Sequence, residues 1–385
     1  MQTIGLGGRW RVAGAVGLSF LGGCAAPPAP TSAPATFYPA PPLAPRLQFL
    51  VGYGGEQDLG GGPSKFANFV VGKEPVRKPI TKPYGLALHE GKIYVCDTGT
   101  ATLDILDLRA RELRYFTPGG EGKLVTPVNV AIDRDGTKYV ADSARGQILI
   151  YGRDDSYKGA IGGRLSGAGR AHSPGLLATP AAGKDRPEEE MKPTDVQIAG
   201  ERLYVADMKS QCVRVYDKAR RQLLFTVPRE PASADAQRKL FAPTNLAVDA
   251  QGRIYVSDIG GFRVQQYGPD GDFLRQFGLG SGDRPGEFAR PKGVAVDREG
   301  RVYVVDAATQ VVQIFDPQGR LLLFFGELQG DAPGLDLPAK VVIDYEHTAL
   351  FAAYAAPGFQ VEHLVIVTNQ FGERKVSVFG FGHQK

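Results

Sequence analysis

A chain of 385 residues with 43% hydrophobic side chains can bury a large core, and by length alone would divide into two or three ordinary domains. Fifty glycines and 28 prolines favour tight turns over long helices, and no long amphipathic helical stretch is present. With 45 basic against 41 acidic residues the chain lacks the electrostatic footprint of a nucleic-acid binder.

The first element is a targeting segment. Arg9 and Arg11 precede an apolar run from Val12 to Leu21 that is too short for a stable bilayer anchor, and the run ends in Leu21-Gly22-Gly23-Cys24. This order of charge, apolar run, small residues and cysteine resembles the lipobox of bacterial lipoproteins; the plainer alternative is a secretory signal with an incidental cysteine. The resemblance implies removal of residues 1–23, acylation of the Cys24 thiol and a lipid anchor in the cell envelope. Ala25 in place of an aspartate implies sorting to the outer membrane. Loss of the two arginines leaves a mature net charge of +2. From Ala25 to Pro45 eight prolines stand among Ala, Ser and Thr, a composition that builds no core and reads as a semi-rigid tether over residues 24–45.

The rest of the chain, 46–385, is repetitive. A proline opening an alternating apolar segment recurs as PYGLALH at Pro83, PVNVAID at Pro127, PTDVQIA at Pro193, PTNLAVD at Pro243, PKGVAVD at Pro291 and PAKVVID at Pro338. Behind five of them, after 14 or 15 residues, comes a strand ending in Asp97, Asp142, Asp207, Asp258 or Asp306; the sixth ends in Asn369, 31 residues on. A third strand follows each, and usually a fourth. Four strands per repeat at a period near fifty predict an all-β fold, a six-bladed propeller whose sheets are covered on both faces. The motif P-x-G-[VL]-A-[VL]-D followed by G-R-[IV]-Y-V-x-D resembles the NHL repeat, whose families form such propellers. The sixth repeat runs out of chain after its third strand, and RLQFLVGYG at Arg46 has the pattern of a fourth strand with nothing before it. The N-terminal strand is therefore expected to complete the last blade and close the ring.

The recurrent aspartates read as structural, accepting backbone N–H groups of the turns that follow them. Cys96 and Cys212, inside apolar strand patterns, are expected as buried free thiols. Function is sought where the blades differ. First strands begin nearest the axis on the face where propellers usually bind ligands, and the rim candidates there are Tyr84, Asn129, Asp195, Asn245, Lys292 and Lys340. Gluconolactonase-like propellers hold a divalent cation with carboxylate and amide oxygens, and Asn129, Asp195 and Asn245 could imitate that set, with Ca²⁺ as the cofactor of a lactonase or other hydrolase. Those families, however, place a ligand directly after the proline, where this chain offers Thr, Val or Ala, and no partner glutamate is present. The five histidines fall at non-equivalent positions, unlike the zinc sites of peptide-amidating lyases, and no nucleophile motif appears. The favoured expectation is a membrane-tethered binding or scaffold propeller with no cofactor and a protein partner in the envelope. Two insertions bear on it. The Gly163 to Met191 segment joins two blades as a flap or surface loop. The extra residues of the sixth repeat carry Phe351, Tyr354 and Phe359, expected on the face opposite the rim either as an exposed partner contact or folded back to plug the bottom of the central channel.

Overall fold

A proline supplies no backbone donor, so in a sheet it belongs at the first residue of a strand, and each of the six repeat prolines stands there. The computed structural model describes residues 35–60, 78–162, 190–229, 238–327 and 333–385, whose 25 strands form six antiparallel sheets. Two strands precede the repeats, β1 (Phe37–Tyr38) and β2 (Leu47–Tyr53). Blade 1 is β3 (Pro83–His89), β4 (Lys92–Asp97), β5 (Thr102–Asp107) and β6 (Glu112–Phe116). Blade 2 is β7 (Pro127–Ile132), β8 (Lys138–Asp142), β9 (Gln147–Tyr151) and β10 (Tyr157–Ile161). Blade 3 is β11 (Pro193–Ala199), β12 (Arg202–Asp207), β13 (Cys212–Asp217) and β14 (Leu223–Val227). Blade 4 is β15 (Pro243–Val248), β16 (Ile254–Asp258), β17 (Arg263–Tyr267) and β18 (Phe273–Phe277). Blade 5 is β19 (Pro291–Val296), β20 (Val302–Asp306), β21 (Val311–Phe315) and β22 (Leu321–Phe325). Blade 6 has β23 (Pro338–Asp344), β24 (Phe359–Asn369) and β25 (Val376–Gln384).

The apolar runs are explained by where the core lies. Six buried clusters occupy the six gaps between neighbouring blades, so each sheet is covered on both faces. Between blades 1 and 2, for example, Cys96, Leu103 and Ile105 meet Val130, Val140 and Leu149. Cys96 is a buried free thiol as expected, while Cys212 is half-buried rather than buried at the start of β13.

The ring closes as the sequence predicts. β2 is the fourth strand of blade 6, paired antiparallel with β25 from Leu47↔Phe381 to Tyr53↔Val376. β1 adds a fifth strand outside it, with Tyr38 opposite Leu47. Tyr38 is buried, its ring 5.9 Å from that of Phe325 and 6.3 Å from that of Phe379. This docked strand moves the start of the body back from Arg46 to Phe37, into the stretch read as tether. Cys24 and nearly all of the Gly163 to Met191 insertion lie outside the described residues.

The extra residues of the sixth repeat fall between its first two strands, and two of their three aromatics correct the exposed-contact expectation. A 3-10 segment, Thr348–Tyr354, buries Phe351 (1% exposed) among Leu50, Ile93, Leu113 and Leu364, sealing the gap between blades 6 and 1. Phe359 is buried at the head of β24, which together with β25 runs longer than its counterparts. Gln48 holds the segment to β2: its side-chain amide donates to the Tyr354 carbonyl (3.0 Å) and accepts from the Ala356 N–H (3.0 Å). Tyr354 alone of the three is exposed.

Candidate functional site at the propeller axis

The six first strands meet around the axis because the loops before them are tied down by the recurrent aspartates. In every complete repeat the proline pairs with the aspartate that ends the second strand, as in Pro83↔Asp97 and Pro291↔Asp306. The carboxylate then accepts the N–H groups of the residues just before the proline, Thr81 (2.5 Å) and Lys82 (3.0 Å) at Asp97, Ala289 (2.7 Å) and Arg290 (3.0 Å) at Asp306. It also accepts from the turn behind it, as Asp97 does from Gly99 (2.8 Å). The structural reading of these residues holds, with the preceding loop as a second set of donors. In blade 6, Asn369 does the same work with its amide oxygen toward Asp336 (3.3 Å), and uses its nitrogen for the Ser377 hydroxyl (3.0 Å).

Two residues past its proline, each strand contributes Gly85, Asn129, Asp195, Asn245, Gly293 or Lys340, in ring order. Lys340 on blade 6 reaches across the axis to Asp195 on blade 3, its Nζ 2.6 Å from Oδ2, and both residues are buried. Asp195 is fully committed. Its Oδ1 accepts Asn129 Nδ2 (2.5 Å) and the Val196 N–H (2.7 Å), and its Oδ2 also accepts the Leu246 N–H (2.8 Å) and Asn245 Nδ2 (3.3 Å). A charge this deep is tolerated only when paired and hydrogen-bonded, and here it is. The glycines follow from the crowding: a Cβ on Gly85 would stand 2.3 Å from Asn129 Oδ1, and one on Gly293 2.8 Å from Lys340 Cα. Thr368 fixes the strand that carries the lysine, accepting the Lys340 N–H (3.1 Å) and donating to the Tyr84 carbonyl (2.5 Å).

The rim expectation is thereby corrected for four residues. Asn129, Asp195, Asn245 and Lys340 are drawn together, but as a buried plug in the axis rather than a ligand-facing rim, because the inward side chains of converging strands turn to the Asp195 carboxylate; Asn245 Oδ1 alone of the plug's polar atoms is buried without a partner. Of Asn129, Asp195 and Asn245, Asp195 alone meets a cation, the ammonium of Lys340, while both asparagines turn their amide nitrogens to its carboxylate, a donor arrangement that does not fit a divalent ion. Among the described residues no three His, Cys, Asp or Glu side chains are grouped to ligate a metal.

Tyr84 and Lys292 occupy the level above, directly after their prolines, with Thr194, Thr244 and Ala339. Both threonine hydroxyls are used on carbonyls, Thr194 on Pro243 (3.1 Å) and Thr244 on Ser257 (3.4 Å). Lys292 is only 4% exposed, and its ammonium lies over the Tyr84 ring, 5.1 Å from the centroid. Blade 6, between them, offers nothing larger than Ala339 at this level. Burial, then the positive charges of Arg290 and Lys82, pull the Lys292 amine down to about 8. Burial and the Asp195 charge push the Tyr84 phenol up to about 12, against the pull of Arg290. Arg290 and Lys82, exposed residues one place before their prolines, were missed in the sequence, although the place before each repeat proline was there to be compared.

This geometry defines a six-bladed β-propeller with a plugged axis. A family model of the NHL repeat matches residues 288–315, the segment from Phe288 through β21 of blade 5. Among solved structures, a protein of unknown function from Bacteroides thetaiotaomicron aligns at TM-score 0.53 and 13% identity, over 87% of this chain and 75% of its own. A streptogramin B lyase aligns at TM-score 0.50 and 9% identity, over 79% of this chain and 84% of its own. At these identities the likeness is one of fold. No curated protein matches the chain.

Proposed function

We propose that this propeller is a binding module of the bacterial cell envelope, lipid-anchored through Cys24, held off the membrane by the proline-rich segment, and engaging a protein partner without chemistry of its own. The observation that carries the reading is the state of Asp195. In a metal-dependent hydrolase of this fold the axial carboxylate and amides would be turned toward a cation and a substrate. Here the carboxylate is saturated by two asparagines, two backbone N–H groups and Lys340, so it is spent on the fold.

The functional test is an assay of the full chain on γ- and δ-lactones with Ca²⁺ added. No turnover above that of Asp195→Ala is expected; lactone hydrolysis abolished by Asp195→Ala would replace the binding reading with the hydrolase one. The anchor is tested separately at the scale of the whole molecule.

A further inference from the structure

Two lysines are buried at the axis, one level apart, and only one is neutralised. Lys340 has Asp195. Other buried cations of this protein are likewise paired: Lys138 with Asp155 (2.8 Å) and Arg214 with Asp207 (2.8 Å). Lys292 breaks the pattern, since among the described residues its ammonium has no hydrogen bond and no ion pair, only the face of Tyr84. A carboxylate is not what surrounds it. The charges that bear on it are those of Arg290 and Lys82, and neither of these side chains has an anionic partner among the described residues. Lys82 and Arg290 stand one place before the prolines that precede Tyr84 and Lys292, so three cations gather at the axial mouth, and the carboxylates of Asp195, Asp97 and Asp306 there are taken up by Lys340 and by backbone N–H groups.

A buried ammonium beside two further positive charges is unfavourable in itself. An arriving anion reverses the sign of that term, and it does so in a partly desolvated place where each contact is stronger than on open surface. Arg290 offers a planar fork of donors suited to a carboxylate or phosphate, and Lys82 and Lys292 act as point charges beside it. Tyr84 supplies an apolar floor that keeps Lys292 in place when no ligand is bound. We propose that the axial mouth formed by Lys292, Tyr84, Arg290 and Lys82 is a binding site for a small oxyanion group, a carboxylate or a phosphate, carried by the propeller's ligand. The inference rests on the reading of the protein as a binding module and adds the chemistry it recognises.

The test is calorimetric titration of the full chain, in mild detergent at constant ionic strength, with sodium phosphate and separately with sodium succinate, chloride serving as the reference anion. Saturable binding at one site per chain is expected for at least one of them; which anion binds distinguishes phosphate from carboxylate recognition. Lys292→Met should weaken it by about tenfold or more, the loss of one charge-assisted contact. The double variant Arg290→Gln/Lys82→Gln changes only exposed side chains, keeps the fold, and should weaken it by a similar factor, while Lys158→Gln on an outer strand leaves it unchanged. Absence of saturable binding for both anions, or unaltered affinity in both the Lys292→Met and the double variant, overturns the proposal. Such a result would leave the lactone assay, and with it the binding-module reading, untouched.

Discussion

Lys340 and Asp195 are 145 residues apart in sequence and 2.6 Å apart in space, and their energetics are those of a buried pair. Taking away one partner strands the other charge, at a cost of about 3–5 kcal/mol. Lys340→Met and Asp195→Asn are each expected to destabilise by that order in denaturant melts, and the double variant by at least ~1 kcal/mol less than their sum; additive losses would show that the two do not act as a pair. A second residue-scale prediction concerns pH. Burial, then the neighbouring Asp97 charge, push the Asp104 carboxyl up to about 8, against the Thr102 hydroxyl that donates to it (2.6 Å). The folded chain thus holds a proton that the unfolded chain, with an ordinary carboxylate, releases near pH 4. This group's contribution is full at low pH and is lost as pH rises from about 4 to about 8, at up to about 1.4 kcal/mol per unit. Asp104→Asn removes the loss, so its stability relative to the parent should climb with pH across that window. Parallel stability curves for the two proteins would refute the assignment.

At the level of elements, the closing strand and the sixth-repeat insertion behave differently from one another in how they could be read. The closing strand was legible because a blade needs four strands, the last repeat supplies three, and RLQFLVGYG has the missing pattern. The insertion was legible in place but not in role: Phe351 looks spare in one dimension and becomes core only when blade 1 is brought against blade 6. Deleting residues 46–54 should destabilise the entire ring, since β25 loses the outer of its two partners and the clusters on both sides of blade 6 lose Leu47, Leu50 and Tyr53. An unchanged melting temperature would refute closure by this strand. Phe351→Ala should cost about 3–5 kcal/mol, as for other buried aromatics, whereas Tyr354→Ser, at an exposed site, should cost about 1 kcal/mol or less. Equal and small effects would return both residues to the surface. The axial plug was the least legible element, because six residues that each follow one place behind the one after a proline become neighbours only through a ring of six. What the sequence could mark was their polarity, not whether they face a ligand or each other.

The whole molecule combines a closed propeller with a proposed lipid tether, and the two can be separated. Cys24→Ser should release the protein from the membrane fraction with its melting temperature unchanged, because the proposed anchor rests on that single residue; continued sedimentation with membranes would remove the lipoprotein reading. The central claim is that the axial carboxylate serves Lys340 and not a metal ion. Metal content of the full chain, purified after growth with Ca²⁺ and Zn²⁺ supplied, tests this most directly. The account predicts well under one equivalent of either metal, with no change in Asp195→Ala. One equivalent of Ca²⁺ or Zn²⁺ in the parent, lost in Asp195→Ala or Asn129→Ala, would contradict it.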